Sequence, residues 1–191
     1  MKGNISVYLK SDSISCFQHA KTICNKKGNG HIKYNMSREK KNLLYIIIAV
    51  VGIVIVAVLG SVFVNLGMDW FDTLDRPSQW IPNIVIPIVW TIIYITFAIV
   101  LSLWIKNIGL KKSTVVLLVI NGILNILWCL VFFTLERTFL GNVLIIVNVI
   151  AGFALYFNMY SQNKLYTLLT IIYPIWLSLA TSLNLALWIL N

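Results

Sequence analysis

The chain has 191 residues, is 59% hydrophobic and carries a formal net charge of +9, with a mean hydropathy of +0.87. A soluble domain of this length has no interior large enough for that much apolar surface, which excludes an ordinary cytosolic enzyme and points to a membrane protein. Anionic lipid head groups account for the basic balance, and no nucleic acid is needed to explain it.

Residues 1–35 are poor in apolar residues, with scattered lysines and no periodicity, and they predict a disordered basic tail over 1–41. No apolar run follows the basic residues, so the tail is not a signal peptide. Met36, just ahead of Ser37-Arg38-Glu39-Lys40-Lys41, reads as an alternative start. Cys16 and Cys24, with His19 and His31 nearby, match no standard zinc spacing, and on the reducing side of a membrane no disulfide is expected.

The remainder, 42–191, predicts an all-α membrane domain. Five segments lack Asp, Glu, Lys, Arg and His altogether: 43–66, 84–105, 113–135, 138–160 and 165–190. Each exceeds the ~20 residues that cross the hydrocarbon of a bilayer. Continuous rather than alternating apolar runs mean helices, since only helices and closed barrels satisfy their backbones in lipid. Only Glu136-Arg137 divides the third and fourth spans, so these form a tight hairpin. Charge sets the expected orientation. Nine Lys/Arg precede residue 43, and Lys106, Lys111, Lys112 and Lys164 fall on the same side of a five-span chain. The other side has only Arg76 and Arg137, beside Asp69, Asp72, Asp75 and Glu136. The positive-inside rule then puts the N-terminus in the cytoplasm and the C-terminus outside, in a plasma membrane. The loop 67–83 faces outward.

No ionisable Asp, Glu, Lys, Arg or His lies within a span, which argues against proton-driven carriers and intramembrane hydrolases and against a His-ligated haem. Aromatic and amide side chains stand there instead. Pro87, Trp90, Tyr94, Phe97, Leu101 and Trp104 share one face of span two at three/four spacing. Asn121, Asn125, Trp128 and Phe132 do so in span three, and Tyr173, Trp176, Ala180 and Asn184 in span five, where Pro174 predicts a bend. Each Asn is by itself interhelical glue, and each Trp by itself core packing. Three such faces together predict a shared cavity for a flat apolar ligand. Trp104 and Trp188, near span ends, read as interfacial anchors, and Cys129 as a small packing residue. Gly52, Ala57, Gly60 and Gly122 permit close helix contact, within one bundle or between copies.

Three blocks carry a family resemblance. They are Trp70-Phe71-x-x-Leu74-x-Arg76-Pro77 with Pro82 and Pro87-Ile88-Val89-Trp90-Thr91-x-x-Tyr94; Leu124-Asn125-x-x-Trp128-x-x-x-Phe132-Phe133; and Tyr173-Pro174-x-Trp176-x-x-x-Ala180-x-x-x-Asn184-x-Ala186-x-Trp188. Over residues 43–191 the chain resembles the tryptophan-rich sensory protein family, also called translocator protein or peripheral-type benzodiazepine receptor. The resemblance implies a five-helix bundle that binds porphyrins and related tetrapyrroles, with porphyrin or haem as ligand, no required cofactor and no metal site. It places Trp90, Tyr94, Asn125, Trp128, Trp176 and Ala180 around the ligand, and Trp70 and Pro82 in a lid. It also implies a homodimer. Trp80 stands later than the family pattern has it, and Pro82 lacks the usual second Pro.

The expected function is therefore a membrane receptor or regulator of tetrapyrroles, with membrane lipids as its surroundings. The alternatives are a light-dependent porphyrin-degrading enzyme and a porphyrin or lipid carrier. No catalytic set is assigned; porphyrin breakdown would fall to Trp90 and Trp176.

Overall fold

The computed structural model describes residues 38–77 and 81–191, and every regular element among them is helical. The expectations for the tail up to residue 37, its cysteines and histidines included, lie outside the described residues. So does Trp80. The first helix, α1 (Arg38–Leu66), begins earlier than its charge-free core, so residues 38–41, expected in the tail, form its first turn. A short α2 (Met68–Thr73) and a loop lead to α3 (Val85–Asn107). Then come α4 (Lys112–Cys129), α5 (Thr138–Tyr160), a short α6 (Lys164–Leu168) and α7 (Ile172–Leu190). Five helical stretches, Arg38–Leu66, Val85–Asn107, Lys112–Thr134, Thr138–Tyr160 and Lys164–Leu190, are long and apolar enough to cross a membrane. They reproduce the five expected spans to within a few residues at each end.

Two spans depart from regular helix. The last turn of span three, Leu130–Thr134, is π-helical, with Leu135 N donating to Leu130 O at 2.9 Å. This widened turn accompanies the burial of two consecutive rings, Phe132 and Phe133. Span five breaks at the 3₁₀ turn Leu169–Ile171 between α6 and α7. Pro174, which lacks an N–H, sits in the first turn of α7, where none is needed. The expected bend is thus a change of helix type just ahead of the proline.

Residues Tyr45–Asn191 form one compact unit. Within it α5 packs along both α4 and α7, while α3 lies against α6, the 3₁₀ turn and α7. Helix α1 is peripheral: only 6% of its most apolar window is buried, against 28–39% in the other spans. Its Ala49 and Ile53 pack against the core that contains Phe97 and Trp104, and it also meets span three, where a Cβ on Gly60 would meet Cys129 Sγ at 3.5 Å and one on Gly122 would meet Val56 Cγ2 at 3.1 Å. These two glycines therefore serve packing inside the bundle, and buried Cys129 is the packing residue expected. Helix α3 ends on Gly109, whose φ of +87° is reached without the Cβ clash of other residues.

One expectation is corrected. Trp104 is not an interfacial anchor: it is 0% exposed, packed in the core with Val100, Met159 and Leu177 and tilted against Tyr166. Its position near the span end in sequence does not place it near the membrane surface on the bundle's exterior, because its face points inward. Trp188 does lie on the outside, where its ring meets Phe139 with centroids 5.6 Å apart.

Candidate functional site

The inward faces of α3, α4 and α7 bring their aromatics together. Trp90 and Tyr94 are one turn apart on α3 and stack nearly parallel, with ring centroids 5.7 Å apart. Trp90 also meets Trp128 of α4 at 6.5 Å and Tyr173 of α7 at 6.4 Å. Trp128 continues to Phe132 at 6.1 Å and to Phe133 at 5.7 Å. The two apolar cores meet at Trp90, which packs against both: one contains Tyr173 and Trp176, the other Trp128 and Ala180. Of the six residues expected around a ligand, Trp128, Trp176 and Ala180 lie in the cores, Trp90 packs against both, Tyr94 stacks on Trp90 and Asn125 lies beside Tyr173. Trp128, Trp176 and Ala180 are buried, whereas Trp90 and Tyr94 are only half-buried. On α3 the deeper half of the face, Phe97, Leu101 and Trp104, is closed, and the half near Pro87 is open.

The two residues expected in a lid separate. Trp70, on α2, meets Phe132 edge-on at 5.8 Å and so adjoins the cluster. Pro82 is exposed, and its observed role is local: its carbonyl accepts from Val85 N at 2.9 Å where α3 begins. Arg76 ties the chain just after α2 back onto that helix. Its Nη2 donates to Phe71 O and to Asp72 Oδ1, both at 2.8 Å, and its guanidinium lies 4.6 Å over the Phe71 ring. Phe71 in turn packs on Phe132 and Phe133. At Asp75 the backbone is bracketed by the Asn191 amide, with Asp75 N donating to Oδ1 at 2.9 Å and Nδ2 donating to Asp75 O at 3.1 Å.

A polar centre lies beside the rings. The Tyr173 hydroxyl donates to Asn121 Oδ1 at 3.0 Å and accepts from Asn125 Nδ2 at 2.8 Å. Asn148 Oδ1 approaches the same hydroxyl at 3.3 Å. Asn121 Nδ2 donates to Leu117 O and to Ala151 O. In an apolar interior unpaired polar groups are costly, which is why the amides gather on one hydroxyl. Asn125 Oδ1, Trp128 Nε1 and Trp176 Nε1 are buried without a protein partner.

Two contributors were missed from the sequence. Spacing puts Tyr173 on an inward face without showing its role, and it is the hub of the polar centre. Helix α5 was given no functional side chains, yet it supplies Asn148, and Asn142, whose Nδ2 donates to Asn184 O at 3.4 Å. The signal was present: Gly141, Ile145, Asn148, Gly152, Leu155 and Met159 recur at three/four spacing, and all are buried.

Comparison with known proteins agrees with this architecture. Residues 46–189 match the TspO/MBR family. The chain is 29% identical over 126 residues to Protein CrtK of Rhodobacter capsulatus, covering 64% of this chain and 78% of that one. It is 28% identical over 152 residues to the Tryptophan-rich protein TspO of Archaeoglobus fulgidus, covering 78% and 99%. To the Tryptophan-rich protein TspO of Bacillus cereus it is 25% identical over 134 residues, covering 70% and 88%. With the family match spanning all five apolar helices, the chain belongs to the TspO/MBR family and is an integral membrane protein.

Proposed function

We propose that the protein is a membrane receptor or regulator that binds porphyrin-type tetrapyrroles, haem included, against the aromatic cluster of α3, α4 and α7. The observation that carries this reading is the Trp90–Tyr94 stack, half-covered on one side and backed by buried Trp128 and Tyr173 on the other. Indole and phenol faces offer a flat ligand large contact area at little cost in side-chain freedom. Asn125 adds a directional polar contact, the usual recipe for a small-molecule site. No cofactor is required for binding.

In this reading the N-terminus is cytoplasmic and the C-terminus external in a plasma membrane, because thirteen of fifteen Lys/Arg fall on one side. Ligand then enters from the external face or laterally from the outer leaflet, beside α2 and the open half of α3. The protein works as a homodimer. Gly60 and Gly122 are used inside the bundle, whereas a Cβ on Gly52 meets nothing within 4 Å, which leaves that part of α1 free for a second copy.

The test is a titration of detergent-solubilised protein with protoporphyrin, followed by quenching of tryptophan fluorescence. Quenching should saturate, and Trp90→Phe combined with Trp176→Phe should weaken binding at least about tenfold, a loss equivalent to one good aromatic contact. Unchanged affinity in the double variant removes the site from this cluster.

A further inference from the structure

Hydrogen-bond polarity around Tyr173 runs in one direction and ends at the cluster. Asn121 Nδ2 gives its two hydrogens to backbone carbonyls, Leu117 O at 2.7 Å and Ala151 O at 3.1 Å. Carbonyls only accept, so this amide cannot be turned round, and its Oδ1 must be the acceptor. It takes the single proton of the Tyr173 hydroxyl at 3.0 Å. That hydroxyl, its proton committed, accepts from Asn125 Nδ2 at 2.8 Å. The other hydrogen on Asn125 Nδ2 goes to the Asn121 carbonyl at 2.9 Å, which fixes the second amide as well. Asn148 shares the hydroxyl at 3.3 Å, and with its amide turned so that Nδ2 faces inward it fills the remaining lone pair. The Tyr173 hydroxyl then has nothing left to offer a ligand.

What remains is an acceptor and a donor three residues apart on α4. Asn125 Oδ1 is buried and unpartnered, with the donors of its own amide already used. Three residues on, the Trp128 Nε1–H is also buried and unpartnered. The two side chains are 7% and 5% exposed. Residues three apart on a helix have Cβ atoms about 5–6 Å from each other, so the two side chains are neighbours on one face of α4. Trp90 meets both Trp128 and Tyr173 and therefore covers this face from α3.

We infer that the site recognises its ligand through a cis-amide edge, with a lactam N–H donated to Asn125 Oδ1 and the adjoining C=O accepting from Trp128 Nε1–H. This rests on the tetrapyrrole reading above and narrows it. A closed macrocycle turns its N–H groups into its own centre, where a side chain beside the ring cannot reach them. An open-chain tetrapyrrole carries a lactam at each end, with N–H and C=O on neighbouring atoms at the rim. The site therefore prefers open-chain, lactam-ended tetrapyrroles to closed porphyrins, since a buried acceptor left without its hydrogen bond is penalised.

The experiment compares biliverdin, its bis-lactim ether and protoporphyrin on the same detergent-solubilised protein, by fluorescence quenching corrected for absorption. The lactim ether keeps the skeleton and both propionates but has lost the lactam N–H. Biliverdin should bind at least about tenfold more tightly than either of the other two. Asn125→Leu should bring the ratio of biliverdin to protoporphyrin affinity to about one, whatever it does to each separately. A lactim ether that binds as tightly as biliverdin overturns the inference without any variant, and so does a preference that survives in Asn125→Leu. Equal binding of biliverdin and protoporphyrin to the wild type overturns it too, yet leaves the tetrapyrrole site standing. Saturable binding of none of the three takes down both.

Discussion

Tyr173 has one hydroxyl proton and stands among three amides, from Asn121, Asn125 and Asn148. Removing the oxygen leaves one hydrogen of Asn125 Nδ2 and the Asn121 Oδ1 acceptor unpaired in a buried interior. Tyr173→Phe should therefore destabilise the folded protein by roughly 1–3 kcal/mol, the usual cost of unsatisfied buried groups. Unfolding in mixed micelles measures this, and a loss below about 0.5 kcal/mol, within the range of a neutral change, would show the network to be incidental. The residues of this centre were legible one helix at a time, since Asn121, Asn125 and Tyr173 all lie on faces readable from three/four spacing. Their convergence was not. Spacing tells which way a side chain faces around its own axis but not which helix it meets, and Asn148 belongs to a span whose buried face is marked mainly by small and aliphatic residues. Trp104 failed for a related reason. Distance along the chain from a charged loop does not give depth in the bundle; the direction of the helix face decides the surroundings of Trp104.

Among the elements, the π-helical end of span three ties the cluster to the last turn of α1 and to Gly67 just after it. Thr134 Oγ1 donates to Phe63 O at 2.9 Å, and a Cβ on Gly67 would overlap the Phe133 carbonyl. Helix α2 starts from Gly67 and carries Trp70 and Phe71 onto the Phe132 and Phe133 rings. Gly67→Ala should push α2 away from span three, with an overpacking cost of about 1–3 kcal/mol. Ligand affinity should fall as Trp70 leaves the cluster, while Gly52→Ala, at a helical glycine with open space around it inside the bundle, should lower neither the stability of the bundle nor the affinity. Paired thermal-unfolding and titration measurements check this; equal behaviour of the two variants would contradict the role given to α2. The five long helices were legible because charge-free runs bounded by Lys and Arg need no tertiary information. Neither the π turn nor the 3₁₀ break could be read, because both are set by what the rings and Pro174 meet in the bundle.

At the scale of the whole molecule, the open half of α3, the α2 segment and Asn191 lie at one end of the bundle, and Lys106, Lys111, Lys112 and Lys164 at the other. This polarity predicts the result of labelling intact cells with an impermeant maleimide. Asp75→Cys, at an exposed position, should react, whereas native Cys129 is buried and Cys16 and Cys24, cytoplasmic in the proposed orientation, should not. Reaction at residue 75 only after lysis would reverse the orientation and the external route of entry. Disulfide trapping through Gly52→Cys should likewise link two copies in membranes, and exclusively monomeric protein would remove α1 from the dimer contact. The central claim is that a flat ligand binds on the cluster joined by Trp90. A ligand-bound structure from native membranes measures this most directly. The account predicts a tetrapyrrole plane against the Trp90 indole, within contact of Trp128 and within hydrogen-bonding reach of Asn125. A ligand seated on the outer, lipid-facing surface of the helices, with Trp90 still packed on Trp128 and Tyr173, would contradict it.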